Sequence, residues 1–222
     1  MSLVAVRSLS VAAVLVCIAS RAPAQPRELR IEAAGGAFVP TRSLGVAGPG
    51  EGKLDALPAA SLSLVAQAGS LWLARLTVMR TIGGGVTVRP DPSCGATCVV
   101  AHADRGRVTA GALDFGVAVG RTVTVSAAGG VGIRYLDFGP PVTITEPTLP
   151  GTTDVRAFTD HSTTALAFHL RADIGSDLGS GLGWRLAVED YVSRRRLPKT
   201  QHDLLITLGL RFSLRSSGHG EG

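Results

Sequence analysis

Residues 202–212 read HDLLITLGLRF. After the histidine, every even position is large and apolar: Leu204, Ile206, Leu208, Leu210 and Phe212. The odd positions carry Asp203, Leu205, Thr207, Gly209 and Arg211. A period of two is the mark of a strand whose side chains alternate between faces. Either face could be the inside. The choice decides whether the sheet dissolves in water or lies in a membrane.

Seven further stretches share the pattern: 28–38, 59–67, 70–82, 108–120, 121–136, 163–175 and 182–193. With 203–213 they make eight expected strands, and nothing between them has a helical period. The 28 Gly and the scarcity of Lys and Met suit strands and tight turns rather than long helices. The connections alternate in length. Long loops are expected at 39–58, 83–107 and 137–161, and a medium one, RRRLPKTQH, at 194–202. Short turns are expected at Ala68-Gly69, Gly120-Arg121 and 176–181. Antiparallel neighbours send alternate connections to opposite ends, so one end collects the long loops.

The faces decide the solvent. Leu166, Phe168, Leu170 and Ile174 oppose Ala167, His169, Arg171, Asp173 and Gly175. Leu182, Trp184, Leu186 and Val188 oppose Gly183, Arg185, Ala187, Glu189 and Tyr191. One face is uniformly apolar. The other mixes small residues with isolated charges of both signs, too sparse for a water-facing surface but suited to a crowded interior. The apolar stripe from Leu204 to Phe212 therefore faces lipid. A membrane tolerates no free sheet edge, so the sheet must close. The expected fold is an all-β, eight-stranded antiparallel up-and-down transmembrane barrel. Arg75, Asp114, Arg134, Arg171, Asp173, Arg185, Glu189, Asp203 and Arg211, with Arg30 and Glu32, form its expected lumen charge network.

The N-terminus reads as a cleavable signal peptide over 1–24. Arg7 is its basic start, SVAAVLVCIA at 10–19 its apolar core, and Ala22-Pro23-Ala24 its small-residue site. Losing Arg7 and Arg21 takes the net charge from +5 to +3. The barrel domain is expected over 25–213 and a short flexible tail over 214–222. Export removes nucleic acid as a partner. It also makes Cys94 and Cys98, in PDPSCGATC, an expected local disulfide. A metal site is the alternative reading of that pair, with only His102 near it.

The chain resembles the small eight-stranded outer-membrane barrels related to the transmembrane domain of outer membrane protein A, over residues 28–213. The most specific piece is LLITLGLRF. It looks like the C-terminal signal read by the bacterial barrel-assembly machinery, with Phe212 as its aromatic; SLRSSGHGEG follows. The resemblance implies a monomer in the bacterial outer membrane, in contact with its lipids and lipopolysaccharide.

Some barrels of this size edit lipid A, and the deacylase type uses a His-x-Ser pair. Here His161 and Ser162 are adjacent, and Arg171 stands two residues beyond His169. No catalytic, cofactor or metal residue is therefore assigned, and His169 is expected to be a hydrogen-bonded lumen residue. Gly83-Gly84-Gly85 lacks the Lys-Ser or Lys-Thr of a phosphate loop and reads as a flexible loop entry. The leading function is structural or surface-interacting, through the long loops. A narrow small-solute channel is the alternative, and lipid A modification a third. Arg194, Arg195, Arg196 and Lys199 are the expected lipopolysaccharide rim. Strand parity puts Arg194 and Arg196 toward lipid and Arg195 toward the mouth.

Overall fold

Eight long strands pair edge to edge until the last meets the first. In a computed structural model, residues 28–41, 43–44, 50–90, 101–103, 106–138, 143–144, 155–156, 162–196 and 199–214 are described. The barrel strands are β1 (Glu28–Pro40), β2 (Leu57–Ala68), β3 (Trp72–Thr81) and β4 (Arg107–Val119). They continue as β5 (Val123–Asp137), β6 (Thr163–Gly179), β7 (Leu182–Arg196) and β8 (Lys199–Leu214). Each pairs antiparallel with the next, and β1 closes on β8 from Leu29 opposite Leu214 to Pro40 opposite Asp203. The sheet has no open edge, as a lipid environment demands.

Three tight turns gather at the end where Glu28 and Leu214 lie. At one of them Ser180 and Gly181 take φ of 54° and 78°. Positive φ at both central residues matches the type I′ turn that fits strand twist. At another, a Cβ on Gly120 would collide with the Val123 carbonyl oxygen, so only glycine fits.

The opposite end differs from the sequence reading in two ways. First, the expected medium loop over 194–202 is strand: β7 runs to Arg196 and β8 starts at Lys199, leaving two residues between them. A basic, proline-containing stretch reads as loop, but its backbone continues the ladder here, with a register shift between Arg194 and Arg196. Second, the first two long loops carry their own sheet. Ser43–Leu44, Gly50–Leu54, Val86–Pro90 and Ala101–Ala103 pair in that order. A two-stranded ladder joins Thr143–Ile144 to Val155–Arg156 in the third. Gly85 is held in this sheet, its carbonyl accepting the Asp55 N–H at 2.9 Å, rather than forming a loose entry.

The outward face is apolar over the whole circumference: Leu62, Val78, Phe115, Val131, Phe168, Leu170, Val188 and Leu208 are all exposed. Leu166 keeps 77% of its surface, and Arg185, on the inward face, 1%. In water that arrangement would be inverted. The barrel therefore spans a membrane. Among the described residues no helix could cross one; the strands do.

Candidate functional site

The lumen concentrates the polar chemistry. One row of register partners reads Arg30, Val65, Arg75, Asp114, Gly130, His169, Tyr191 and Asp203, and returns to β1 at Pro40. A circuit begun at residue 30 ends at residue 40, so the stagger is ten residues. That stagger fixes strand tilt and interior width together. It also makes the row climb, from Arg30 near the short turns to Asp203 near the mouth.

The charges on this spiral meet in pairs. His169 lies between two carboxylates: Nδ1 is 2.7 Å from Asp114 Oδ1 and Nε2 is 3.2 Å from Glu189 Oε2. Its ring packs against Tyr191 at a tilt of 41°, with centroids 4.4 Å apart. Arg171 stands opposite Glu189 in the register and donates to it at 2.7 Å. It also donates to Asp173 at 3.0 Å, and Arg75 donates to the same Asp173 oxygen at 2.8 Å. Below them, Arg185 Nε lies 3.1 Å from Glu32, with Arg75 and Arg171 each 3.6 Å from the same oxygen.

Near the mouth Arg134 pairs with Asp203 and donates to Ser193 at 3.1 Å. Near the turns Arg211 donates to Asp177 at 2.7 Å and Arg30 to Glu28 at 2.5 Å. Among the described residues these ion pairs use six arginines and His169 against Glu28, Glu32, Asp114, Asp173, Asp177, Glu189 and Asp203. Both ring nitrogens of His169 face a carboxylate, so the described lumen arginines and carboxylates are matched in sign, pair by pair.

Small residues make room for this packing. A Cβ on Gly130 would collide with the Leu113 carbonyl oxygen and stand 2.8 Å from Asp114 Oδ1. Glycine there lets the Asp114 carboxylate turn toward His169.

Toward the mouth, around the Arg134–Asp203 pair, the lumen becomes largely apolar. Phe38, Ala59, Met79, Val108, Ala110, Leu136, Tyr191 and Leu205 are buried together, each toward the long-loop end of its strand. Leu54 and Val86 from the loop sheet, and Phe138, join the cluster. The mouth is thus closed by a core that joins barrel to loops. The inward face was expected to mix small residues with isolated charges, with Leu205 and Tyr191 on it; the cap gathers more large apolar residues there than that reading gave, and its members also alternate inward. Asp177, whose carboxylate meets Arg211, was hidden in what read as turn sequence. Asp190 and His202 make a further pair at 2.8 Å on the outer face.

All nine charges of the expected network, and Arg30 and Glu32, lie in these lumen pairs. His169 hydrogen-bonds to Asp114 and Glu189. Ser162 Oγ instead accepts the Phe138 N–H at 3.3 Å, and His161 lies outside the described residues. Phe212 faces outward, opposite Ile31 and Leu182 in the register. Cys94 and Cys98 lie outside the described residues, as does the 1–24 segment. Arg194, Arg195, Arg196 and Lys199 lie on strand backbone, and their side chains are outside the described set. No group of three or more potential metal ligands occurs among the described residues.

Neither a family model nor a curated protein matches the sequence. Solved structures match the fold. The outer membrane protein OprG from Pseudomonas aeruginosa has a TM-score of 0.56 at 9% identity, covering 85% of this chain and 96% of that one. The outer membrane protease OmpT from Escherichia coli has a TM-score of 0.49 at 8% identity, covering 88% and 100%. The N-terminal β-barrel domain of Pseudomonas aeruginosa OprF has 0.46 at 10%, covering 85% and 98%. At these identities the likeness to OprG is one of architecture and carries no activity.

Proposed function

We propose that this membrane barrel is an outer-membrane protein with a closed, self-neutralised lumen, working through the surface built by its long loops. The observation that carries the reading is the capped lumen. Paired charges run from Arg30 to Asp203, and around and beyond the last of them Phe38, Leu136 and Phe138 pack with Leu54 and Val86 of the loop sheet. A solute path would have to part ion pairs buried on both sides, then an apolar core. The short-turn end faces the periplasm and the loop sheet faces outward, as in bacterial barrels of this class. The barrel is then a rigid support, and the loop sheet the contact surface for another molecule. Cys94 and Cys98, bridged in the second loop, would stiffen that surface. Arg194, Arg195, Arg196 and Lys199 would meet lipopolysaccharide phosphate, which arginine grips bidentately. Phe212 would serve the assembly machinery. No catalytic step is assigned to the chain.

The test is a planar-bilayer recording on the refolded protein. Silence across the bilayer is the expected result. Reproducible unitary conductance steps would overturn the reading in favour of a narrow small-solute channel.

A further inference from the structure

A cavity of about 440 Å³ lies outside the lumen, at the long-loop end of β3 and β4. It is lined by Ala60, Arg80, Thr81, Ile82, Gly83 and Arg107. Arg80 shares the outward face of β3 with Val78 and Ile82, both more than half exposed. Arg107 shares the outward face of β4 with Phe115 and Val119. Arg80 is the register partner of Thr109, so Arg107 stands one diagonal step away on the neighbouring strand. Diagonal neighbours of this kind sit about 7–8 Å apart, within joint reach of one anion.

Depth gives the cavity its meaning. Trp72, Trp184 and Phe212 point outward near the short-turn end, where an aromatic girdle marks one membrane interface. Arg107 lies ten residues up β4 from Val117, the register partner of Trp72. Strands tilted by about 40° rise about 25 Å over ten residues, the usual height of the apolar band. Arg107 is therefore level with the far headgroups. Arg80, eight residues up β3 from Trp72, lies just beneath and reaches up to that level by its long side chain. Among the described residues neither guanidinium has an ion-pair partner. Asp137, opposite Arg107 in the register, accepts a hydrogen bond from Ser162 at 3.3 Å.

We propose that Arg80 and Arg107 form a clamp for a phosphate of an outer-leaflet lipid headgroup, with Val78, one step below Arg80 on the same outward face, receiving the start of its acyl chains. Two fixed guanidinium forks at headgroup depth, above an apolar wall, suit a phosphorylated glycolipid such as lipid A. The site lies across the barrel from the β7–β8 arginines, and it rests on the outer-membrane reading above. A conducting lumen would sink the closed-lumen reading and leave this clamp in place, so the two fail separately.

The experiment follows thermal unfolding of the refolded full chain in detergent micelles. The additives are lipid A, dephosphorylated lipid A, and inorganic phosphate at equal phosphate concentration. A ligand bound only by the folded state raises the midpoint. Lipid A should raise it by several degrees (on the order of 4 °C), and the other two additives by much less. The Arg80→Gln/Arg107→Gln variant should lose most of that gain. Arg194→Gln/Arg195→Gln/Arg196→Gln should keep the part due to the clamp. A gain equal to the parent's in the Arg80/Arg107 variant would overturn the clamp, as would no gain in the parent. An equal gain with inorganic phosphate would replace it by a free-anion site. Should the glutamine variant fail to fold, Arg80→Lys/Arg107→Lys keeps the charge and loses the forks. It should lose more than half of the lipid A gain, and a full gain there contradicts the clamp.

Discussion

Glu189 shows what a single residue does in this lumen. It is fully buried and accepts from Arg171 at 2.7 Å while facing His169 at 3.2 Å. Glu189→Ala leaves Arg171 without its nearest carboxylate and His169 without one of its two partners in a confined space. The expected cost is about 3–5 kcal/mol, read as a lower urea midpoint of the refolded barrel. An unchanged midpoint would mean that water solvates the residue and that the lumen is not packed as described. The alternation of β6 and β7 was enough to put Arg171, Asp173, Arg185 and Glu189 on one face. It could not say which charges meet, because the ten-residue stagger around the barrel decides that. Arg185 on β7 reaches Glu32 on β1, far away in the chain but separated across the closure only by β8. Nothing local in the sequence encodes such a meeting.

At the scale of the element, β8 carries the decisive pattern. Leu208 is 62% exposed near mid-strand, and Leu214 is 46% exposed at the short-turn end. Both face outward, but at different depths. Leu208→Arg should cost about 2–4 kcal/mol, and Leu214→Arg about 0–1 kcal/mol. Equilibrium unfolding from phospholipid vesicles measures both, and equal costs would contradict a membrane around β8. Strand existence and facing were legible because a period of two, held over ten or more residues, matches a pleated strand and cannot line one face of a helix. The loop sheet was not legible. Its strands are only two to five residues long, as Ser43–Leu44 and Val86–Pro90 show, too short for a period to register. The β7–β8 connection was misread for a related reason. Arg194, Arg195, Arg196 and Pro198 look like loop, yet ladder hydrogen bonds are made by backbone, and charged side chains are tolerated beyond the apolar band.

For the whole molecule, closure, one-sided apolarity and loop asymmetry give one conclusion, a barrel crossing a membrane with its long loops on one side. The apolar cluster adds a packed core at the mouth, which is what the proposed closed lumen rests on. Phe38, Leu54, Val86 and Phe138 tie the loop sheet to the barrel wall. Any role of the loops is written in side chains beyond the pattern of alternation, which is why architecture was readable where activity was not. The chain has two tryptophans, Trp72 and Trp184, and both sit on the outward face near the short-turn end. Depth-resolved fluorescence quenching therefore tests the central claim directly. The protein is folded into bilayers whose lipids carry bromine at defined positions along the acyl chain. Strong quenching by bromines close to the headgroups, falling steadily toward the bilayer centre, is the predicted result. Tryptophan emission indifferent to every brominated lipid, from a chain that folds as a soluble monomer without detergent, would contradict it.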